Sequence, residues 1–382
     1  ESRILIDCGV DFHMWGEKPL SSFNVPRKHK SELIKDIKGS WDNHKKSLND
    51  YDNFKAKRGH NSSKLSFAPI NEKDKVLGRC PVASEKTLCC NLITLDAFKN
   101  CGLDCSYCSI QSFYTDNKVF VENNIELKLD AVNFDPNTVY HVGTGQSSDS
   151  LLWGNKDKVL ERLLNFARKK PNLIIELKTK INRVNELINL NIPKNIICTW
   201  SLNPQTIIEN EEHQSASLDQ RIMAARKVAD GGNLVGFHLH PMVYYHGWEN
   251  DYSEMIDKII SNFTVDEVAL ISIGTLTFTK KVISQIRKRG AMSKILQMPL
   301  VESEGKLSYP REVKLALFKY AYNCFSSWHN KVFFYLCMEN KDYWQPVFGK
   351  DYQDNIEFEI DMKKHYLEKI YPGKELEWSL TE

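Results

Sequence analysis

Apolar residues recur along this chain in short runs, and a stretch with helical spacing follows most of them. The runs typical of buried strands cover 91–98, 138–142, 173–177, 196–202, 234–239, 268–273 and 332–337. Between these runs, apolar residues return at intervals of three and four, which places them on one face of a helix. The clearest examples are Leu160, Leu163, Leu164 and Ala167, and then Leu218, Ile222, Ala225 and Val228.

Strands that alternate with helices in this rhythm predict right-handed crossovers and a parallel sheet. We therefore predict an α/β fold, a partial (βα)6 barrel over residues 89–344. Residues 1–88 are rich in Lys, Asn and Asp and are predicted to form an N-terminal extension, while 345–382 form a C-terminal helix at 362–370 and a tail. The loops after the C-terminal ends of the strands should build the active site.

Three cysteines follow the first predicted strand, namely Cys101, Cys105 and Cys108. Three thiolates at this spacing fit on one loop and can bind three irons of a 4Fe-4S cluster, which leaves the fourth iron without a protein ligand. A ferredoxin would need a fourth cysteine, and the next one along the chain is Cys198. A zinc loop or a group of reduced structural cysteines is the alternative, although structural zinc usually takes four Cys or His ligands.

In this stretch the chain resembles radical S-adenosylmethionine (radical SAM) enzymes. The resemblance implies that the open iron binds S-adenosyl-L-methionine, which one electron from a flavodoxin or ferredoxin type of reductant cleaves to a 5′-deoxyadenosyl radical. It also implies that Tyr107 packs beside the adenine. Gly143 and Gly145 follow the second strand, where glycine lets the backbone approach the methionyl end of the cofactor closely.

Residues 89–250 are similar to the spore photoproduct lyase branch of these enzymes. The similarity rests on Ser147-Ser148-Asp149, Thr179-Lys180, Ser201-Leu202-Asn203, the run 217–228, Gly236-Phe237, Pro241 and Gly247-Trp248. It implies that Lys180 lies beside the cofactor carboxylate and that Ser148 and Ser201 donate hydrogen bonds to that carboxylate or to the ribose. An ordinary polar role at a strand end is the alternative for each.

The chain also departs from that branch. The resemblance implies a hydrogen-donating cysteine where this sequence has Gln146, and a hydrogen-relaying tyrosine where it has Ser109. Neither an amide nor a hydroxyl replaces a thiol in that role. Cys198 lies three residues before Ser201 and is predicted to point away from the cofactor, which leaves Cys337 as the other thiol within reach.

Polar residues on the later strands predict a polar substrate. His238 and His240 are two apart, so they share a face and are expected to point into the barrel. There they could bind substrate or transfer a proton near neutral pH. Glu339 follows the last strand and could bind the N1 and N2 hydrogens of a guanine-like ring, with a capping or salt-bridge role as the alternative. With Gln146, these residues form the predicted catalytic set.

Composition adds less. The chain has 382 residues, 42% of them hydrophobic, and a net charge of +2 that gives no indication of nucleic-acid binding. Segment 27–58 has ten Lys or Arg against five Asp or Glu and could contact phosphates, although a solvated face is the simpler interpretation. Ten cysteines, the lack of a membrane-length apolar run and the lack of a signal-peptide pattern predict a cytoplasmic protein without a membrane partner.

These features predict a radical SAM lyase that acts on a small modified nucleobase. General resemblance to queuine lyases makes queuine the first candidate, with cleavage of its side-chain carbon–nitrogen bond to an aminomethyl 7-deazaguanine in queuosine salvage. Photoproduct repair in DNA, another radical SAM reaction and a non-enzymatic cluster protein are the alternatives. Cys80, Cys89 and Cys90 are either buried free thiols or a small site of their own.

Overall fold

The computed structural model describes residues 50–52, 54, 65–80, 87–114, 117–290, 292–298, 300–303 and 305–381. Most of the predicted N-terminal extension, including most of its basic segment 27–58, lies outside these ranges. Over the ranges that are described, no helix is both long enough and apolar enough to cross a membrane.

The strands and helices alternate over much of the chain. The strands are β1 (Ser66–Pro69), β2 (Leu77–Arg79), β3 (Ile93–Leu95), β4 (Phe98–Lys99), β5 (Lys118–Val121), β6 (Tyr140–Thr144), β7 (Leu173–Thr179), β8 (Ile196–Ser201), β9 (Val235–Met242), β10 (Val268–Thr275), β11 (Thr277–Phe278), β12 (Val301–Ser303), β13 (Lys306–Ser308) and β14 (Phe333–Leu336). The helices are α1 (Ile125–Asp130), α2 (Val159–Lys169), α3 (Asn185–Asn189), α4 (Gln205–Glu211), α5 (Leu218–Asp230), α6 (Trp248–Asn262), α7 (Lys280–Arg287), α8 (Arg311–Cys324), α9 (Trp344–Phe348) and α10 (Asn355–Ile370).

A curled eight-stranded sheet forms the body of the molecule. Its strand order is β14-β10-β9-β8-β7-β6-β3-β2. The pairs from β3 through β14 are parallel, and only the edge strand β2 is antiparallel to its neighbour. The predicted α/β partial barrel is therefore confirmed, and the C-terminal ends of its parallel strands open at one end.

Helices bury their apolar faces against the sheet. Helix α2 buries the four residues whose spacing predicted it, Leu160, Leu163, Leu164 and Ala167. Each leucine removed from water in this way contributes about 1.5–3 kcal/mol to folding. Helix α5 begins with a capping box, in which the Ser217 side chain accepts a hydrogen bond from the Gln220 backbone N–H and the Gln220 side chain bonds back.

The first predicted strand, 91–98, is divided into two strands in different sheets. Strand β3 pairs with β6 in the barrel, whereas β4 pairs with β5 in a three-stranded sheet of order β1-β5-β4. The chain leaves the barrel at Asp96, whose backbone N–H donates to the Val76 carbonyl over 2.9 Å. Because β4 ends at Lys99, this bend delivers the cysteine loop to the open end of the barrel.

The last helix is longer than predicted, because it begins at Asn355 and not at 362. The Asp354 side chain accepts a hydrogen bond from the Glu357 backbone N–H over 2.9 Å and so caps the additional turns. Helix α10 packs against β10 and β14, and the tail beyond it pairs through Ser379 with the backbone just before β6. The proposed boundaries at 88 and 344 stay predictions.

Candidate active site

The loop 101–108 carries the three clustered cysteines and is fixed from both sides. Asn100 has a positive φ of 74°, and its side chain accepts from the Cys101 N–H and donates to the Lys118 carbonyl. On the other side, the end of α4 bonds to the loop, since Ser106 N–H donates to the Glu211 carbonyl over 2.8 Å and Cys105 pairs with Glu212. These contacts fix the loop at both ends.

Cys101, Cys105 and Cys108 line one cavity at the open end of the barrel, and its described lining contains no fourth cysteine. Burial raises the pKa of the Cys101 thiol to about 12 and also raises the pKa values of Cys105 and Cys108. Cationic metal centres bind the thiolate form, so binding would release these protons. Three thiols that face one cavity fit the donor set of a 4Fe-4S cluster with one open iron.

The same cavity contains five more of the predicted residues, namely Gly145, Gln146, Ser148, Lys180 and Ser201. Gly145 has a φ of +91°, and a Cβ there would lie 2.8 Å from the Lys178 carbonyl oxygen, so only glycine fits. The Ser148 hydroxyl accepts from the Trp153 indole over 3.0 Å, and the Ser201 hydroxyl donates to the His240 carbonyl over 3.0 Å.

Asp149 ties two of the cavity loops together. One carboxylate oxygen accepts from the backbone N–H groups of Leu151 and Leu152 and from the Thr179 hydroxyl, over 2.8 to 3.0 Å. The other accepts from the Lys180 N–H over 2.7 Å. The loop after β6 and the end of β7 are thus fixed relative to each other, which places Ser148 and Lys180 on one wall.

A buried carboxylate, Glu212, organises the neighbouring wall. It accepts hydrogen bonds from Lys180 Nζ (2.8 Å), Asn203 Nδ2 (2.8 Å), the Tyr107 hydroxyl and the guanidinium of Arg221. Although burial opposes ionisation, the charges of Arg221 and Lys180 hold the pKa of Glu212 well below its ordinary value. Glu212 thus pairs with two cations at once, Lys180 at the cavity and Arg221 behind it.

Two residues predicted to contact the cofactor are not among the lining residues of this cavity. Tyr107 does not line the cysteine cavity, since its hydroxyl bonds to Glu212 and its ring lies 5.5 Å from Lys180 Nζ. Gly143 also lies outside the cavity lining, because a Cβ there would lie 2.7 Å from the Leu92 side chain. Its missing side chain makes room for packing inside the sheet.

Of the four residues of the predicted catalytic set, Gln146 lines the cysteine cavity, whereas His238, His240 and Glu339 are not among its lining residues. His238 lies deeper in the barrel, where its Nε2 is 2.7 Å from Glu176 Oε1. The Glu176 carboxylate also accepts from Thr199, over 3.0 Å, and lies 3.3 Å from His141 Nε2. Although burial opposes ionisation, His238 and His141 hold the pKa of Glu176 well below its ordinary value.

His240 lies one layer above His238 on the same face of β9. Burial, followed by the positive charge of Lys178, lowers its pKa to about 3, so the imidazole is neutral at neutral pH. Glu339 is 1% exposed and bonds to Lys314 Nζ over 2.7 Å and to the Thr275 hydroxyl over 3.3 Å. Its carboxylate thus takes part in a buried ion pair.

Sequence reasoning missed Glu212, Arg221, Glu176, Lys178 and Lys314. Their partners lie far away along the chain, as with the 32 residues that separate Lys180 from Glu212 and the 62 that separate Glu176 from His238. One local signal for two of them was present, namely the alternation of side chains between the two faces of β7. Glu176 and Lys178 share the inward face of β7, so two charged residues alternate along an otherwise apolar strand.

The comparisons with known proteins agree on one family. The family model described as spore photoproduct lyase matches residues 98–331. Spore photoproduct lyase of Geobacillus sp. is 27% identical over 135 residues, which are 35% of this chain and 39% of that protein. The Bacillus subtilis lyase is 33% identical over 81 residues, 21% of this chain and 24% of its own length. The matched segments therefore span between a quarter and two fifths of these relatives.

Solved structures show the same fold. A spore photoproduct lyase complexed with dinucleoside spore photoproduct superposes with a TM-score of 0.58 at 19% identity, over 64% of this chain and 76% of the other. A mutant of the lyase with bound AdoMet and dinucleoside spore photoproduct gives 0.56 over the same shares at 19% identity. Since the family match includes all three loop cysteines and more than half of the residues, the chain belongs to the spore photoproduct lyase family.

Proposed function

We propose that this chain is a radical SAM lyase that acts on a modified nucleobase. The observation that carries the proposal is the single cavity in which three cysteines face Lys180, Ser148 and Ser201. A ferredoxin only transfers electrons and does not need a ligand-binding cavity beside its cluster. A solved relative with bound AdoMet supports S-adenosyl-L-methionine as the second cofactor.

Cys101, Cys105 and Cys108 would hold the cluster, and Lys180 would face the carboxylate of S-adenosyl-L-methionine. When bound, the two cofactors supply a 5′-deoxyadenosyl radical. Ser148 and Ser201 supply hydroxyl groups at the wall, and Gly145 keeps the backbone close to the ligand. Tyr107 acts through Glu212, since the two together hold the Lys180 ammonium in place.

For the substrate we propose queuine, cleaved at its side-chain carbon–nitrogen bond. Two features favour a polar base over a thymine photoproduct. Gln146 places an amide in the cavity, and His240 presents a neutral imidazole on the interior face of the barrel. In addition, β14 and Glu339 lie beyond residue 331, where the family match ends, while Lys314, the partner of Glu339, lies within the match.

The substrate is tested by anaerobic reconstitution with iron, sulfide, S-adenosyl-L-methionine and dithionite. Queuine or a spore photoproduct dinucleoside is then added, and 5′-deoxyadenosine and the base products are followed by mass spectrometry. We expect queuine to raise 5′-deoxyadenosine formation and to give an aminomethyl 7-deazaguanine. Stimulation by the photoproduct alone, with recovery of thymine, would replace the queuine proposal.

Photoproduct repair is the second candidate, because the family match and a relative complexed with dinucleoside spore photoproduct favour it. In this chain it would have to proceed with Gln146 and Ser109 at the positions where the family resemblance implies a thiol and a phenol. Binding to duplex DNA with a steep dependence on salt would support it.

Lys180→Met should weaken the binding of S-adenosyl-L-methionine at least tenfold, since the carboxylate of the bound cofactor would lose the cation that pairs with it. The measurement is calorimetric titration of the reconstituted protein. Lys194→Met is the matched control, because this lysine is exposed and lies outside the cavity lining. Equal affinities in wild type and both variants would show that Lys180 does not contact the cofactor.

His240→Ala should lower queuine turnover at least tenfold and leave the slow, substrate-independent cleavage of S-adenosyl-L-methionine in place. A substrate that loses a hydrogen-bond partner inside a dry site binds poorly and is misaligned. His365→Ala is the control, since burial also lowers the pKa of this imidazole, to about 4, but it lies on helix α10 and does not line the cysteine cavity. Unchanged queuine turnover in His240→Ala would remove this residue from the substrate site.

A further inference from the structure

A basic patch lies beside the cysteine loop. Between residues 279 and 294 the sequence has six Lys or Arg and no Asp or Glu. Three of these basic residues lie on helix α7, two lie in the turn after it and one lies just before the 3₁₀ turn Ile295–Gln297. Helix α7 buries Val282, Ile283 and Ile286 against the body of the protein. We call the six residues the α7 patch, and they are Lys280, Lys281, Arg287, Lys288, Arg289 and Lys294.

Two contacts place the α7 patch at the cluster loop. Helix α7 packs against the 3₁₀ turn Ser109–Ser112, which begins directly after Cys108. Arg289 bonds to Asp104, which lies between the first two loop cysteines, and its charge also acts on the Cys108 thiol. The patch therefore occupies protein surface close to the position where the cluster would bind.

Apolar side chains border this charge. Phe113 is 66% exposed directly after the 3₁₀ turn, and Met292 is 42% exposed in the segment after α7. Exposed aromatic and methionine side chains next to basic residues are typical of protein interfaces and not of surfaces that bind the nucleic-acid backbone alone. The exposed residues of the helix are Lys280, Lys281, Ser284 and Arg287, and Lys288 directly after it is exposed as well.

We propose that the α7 patch, with Phe113 and Met292, is the docking surface for an acidic one-electron carrier protein of the flavodoxin type. The proposal rests on the proposed function, which needs one electron at the cluster for each cleavage. Opposite charges steer such a carrier to the surface, and the apolar side chains then exclude water at the contact. Docking here brings the carrier to the edge of the cysteine loop, so the electron has a short path.

The test uses Lys281→Glu/Lys288→Glu, which reverses two charges of the patch. The control is Lys364→Glu/Lys374→Glu, which changes the net charge equally near the other end of the barrel, where Lys369 of the same segment bonds to the Val268 carbonyl at the start of β10. Binding of a flavodoxin to the reconstituted protein is measured by flavin fluorescence at several salt concentrations. We expect about tenfold weaker binding for the patch variant only, and a loss of affinity with salt for wild type.

A second measurement separates docking from the chemistry. With dithionite, which needs no docking, both variants should form 5′-deoxyadenosine at the wild-type rate. With reduced flavodoxin, the patch variant should reduce the cluster about tenfold more slowly, as followed by the visible absorbance of the cluster. Failure of the dithionite reaction in wild type would count against the proposed function and not against docking.

Two outcomes would overturn the proposal. One is equal flavodoxin affinity in wild type and both variants. The other is tight binding of a short DNA duplex that the patch variant alone loses, while its flavodoxin affinity is unchanged. That result would assign the α7 patch to nucleic acid.

Discussion

Replacement of any one of Cys101, Cys105 and Cys108 with alanine is expected to abolish 5′-deoxyadenosine formation. Each thiol faces the same cavity, and the described lining offers no fourth cysteine that could take over a lost ligand. A cluster held by two thiolates would not keep one defined open iron. Iron and sulfide content, the visible absorbance of the cluster and 5′-deoxyadenosine yield would all fall together.

Cys198→Ala is the control for these variants. Cys198 is fully buried on β8. Thr199 and Ser201 face the interior of the barrel, so Cys198 and Trp200 lie on the opposite face of the strand. Loss of Cys198 should leave iron content and turnover nearly intact. A cluster that forms normally in Cys101→Ala, Cys105→Ala or Cys108→Ala would refute the assignment of the ligands.

Glu212→Gln should lower the free energy of unfolding by about 3–5 kcal/mol, because it leaves a buried charge without a counter-ion. The Arg221 side chain is 0% exposed, and its other bonds go to the neutral carbonyls of Ser201 and Ala216 and to the Ser215 hydroxyl. An amide cannot neutralise a guanidinium in that position. Denaturant unfolding followed by fluorescence measures the change.

The surface pair of Arg226 and Glu267 supplies the matched control. It has the same residue types, but their side chains are 25% and 28% exposed. Water can take over much of that interaction, so Glu267→Gln should cost only about 0.2–1 kcal/mol. Similar losses in Glu212→Gln and Glu267→Gln would mean that Arg221 is solvated in solution or that its backbone partners suffice.

Much of the fold could be predicted from the sequence because its signals are local. Apolar runs and helical spacing repeat within each βα unit, and the cysteine spacing is confined to eight residues of one loop. The break of the first strand at Asp96 could not be predicted, because it depends on a contact that is not local. It depends on β4 pairing with β5, which lies about twenty residues farther along the chain.

In the candidate site, the position of a single side chain could be predicted from the sequence, but its pairing with a side chain from another element could not. Lys180 was expected to face the cavity, but the carboxylate that positions it could not be predicted. Glu339 followed the last strand as predicted, yet Lys314 on α8 pairs with it. Sequence spacing reports the backbone period, whereas the pairing of buried charges depends on how separate elements meet.

Glu211 and Glu212 are neighbours in sequence, and each serves a different half of the site. Glu211 accepts from the Ser106 hydroxyl within the cysteine loop and from the Tyr51 hydroxyl, while Glu212 holds Lys180. A shift of this dipeptide would disturb both halves. Thermodynamic linkage then requires reciprocity, because if an ordered cluster tightens the binding of S-adenosyl-L-methionine, the bound cofactor tightens the binding of the cluster by the same factor. Protein equilibrated against an iron chelator should therefore retain more iron with the cofactor than without it.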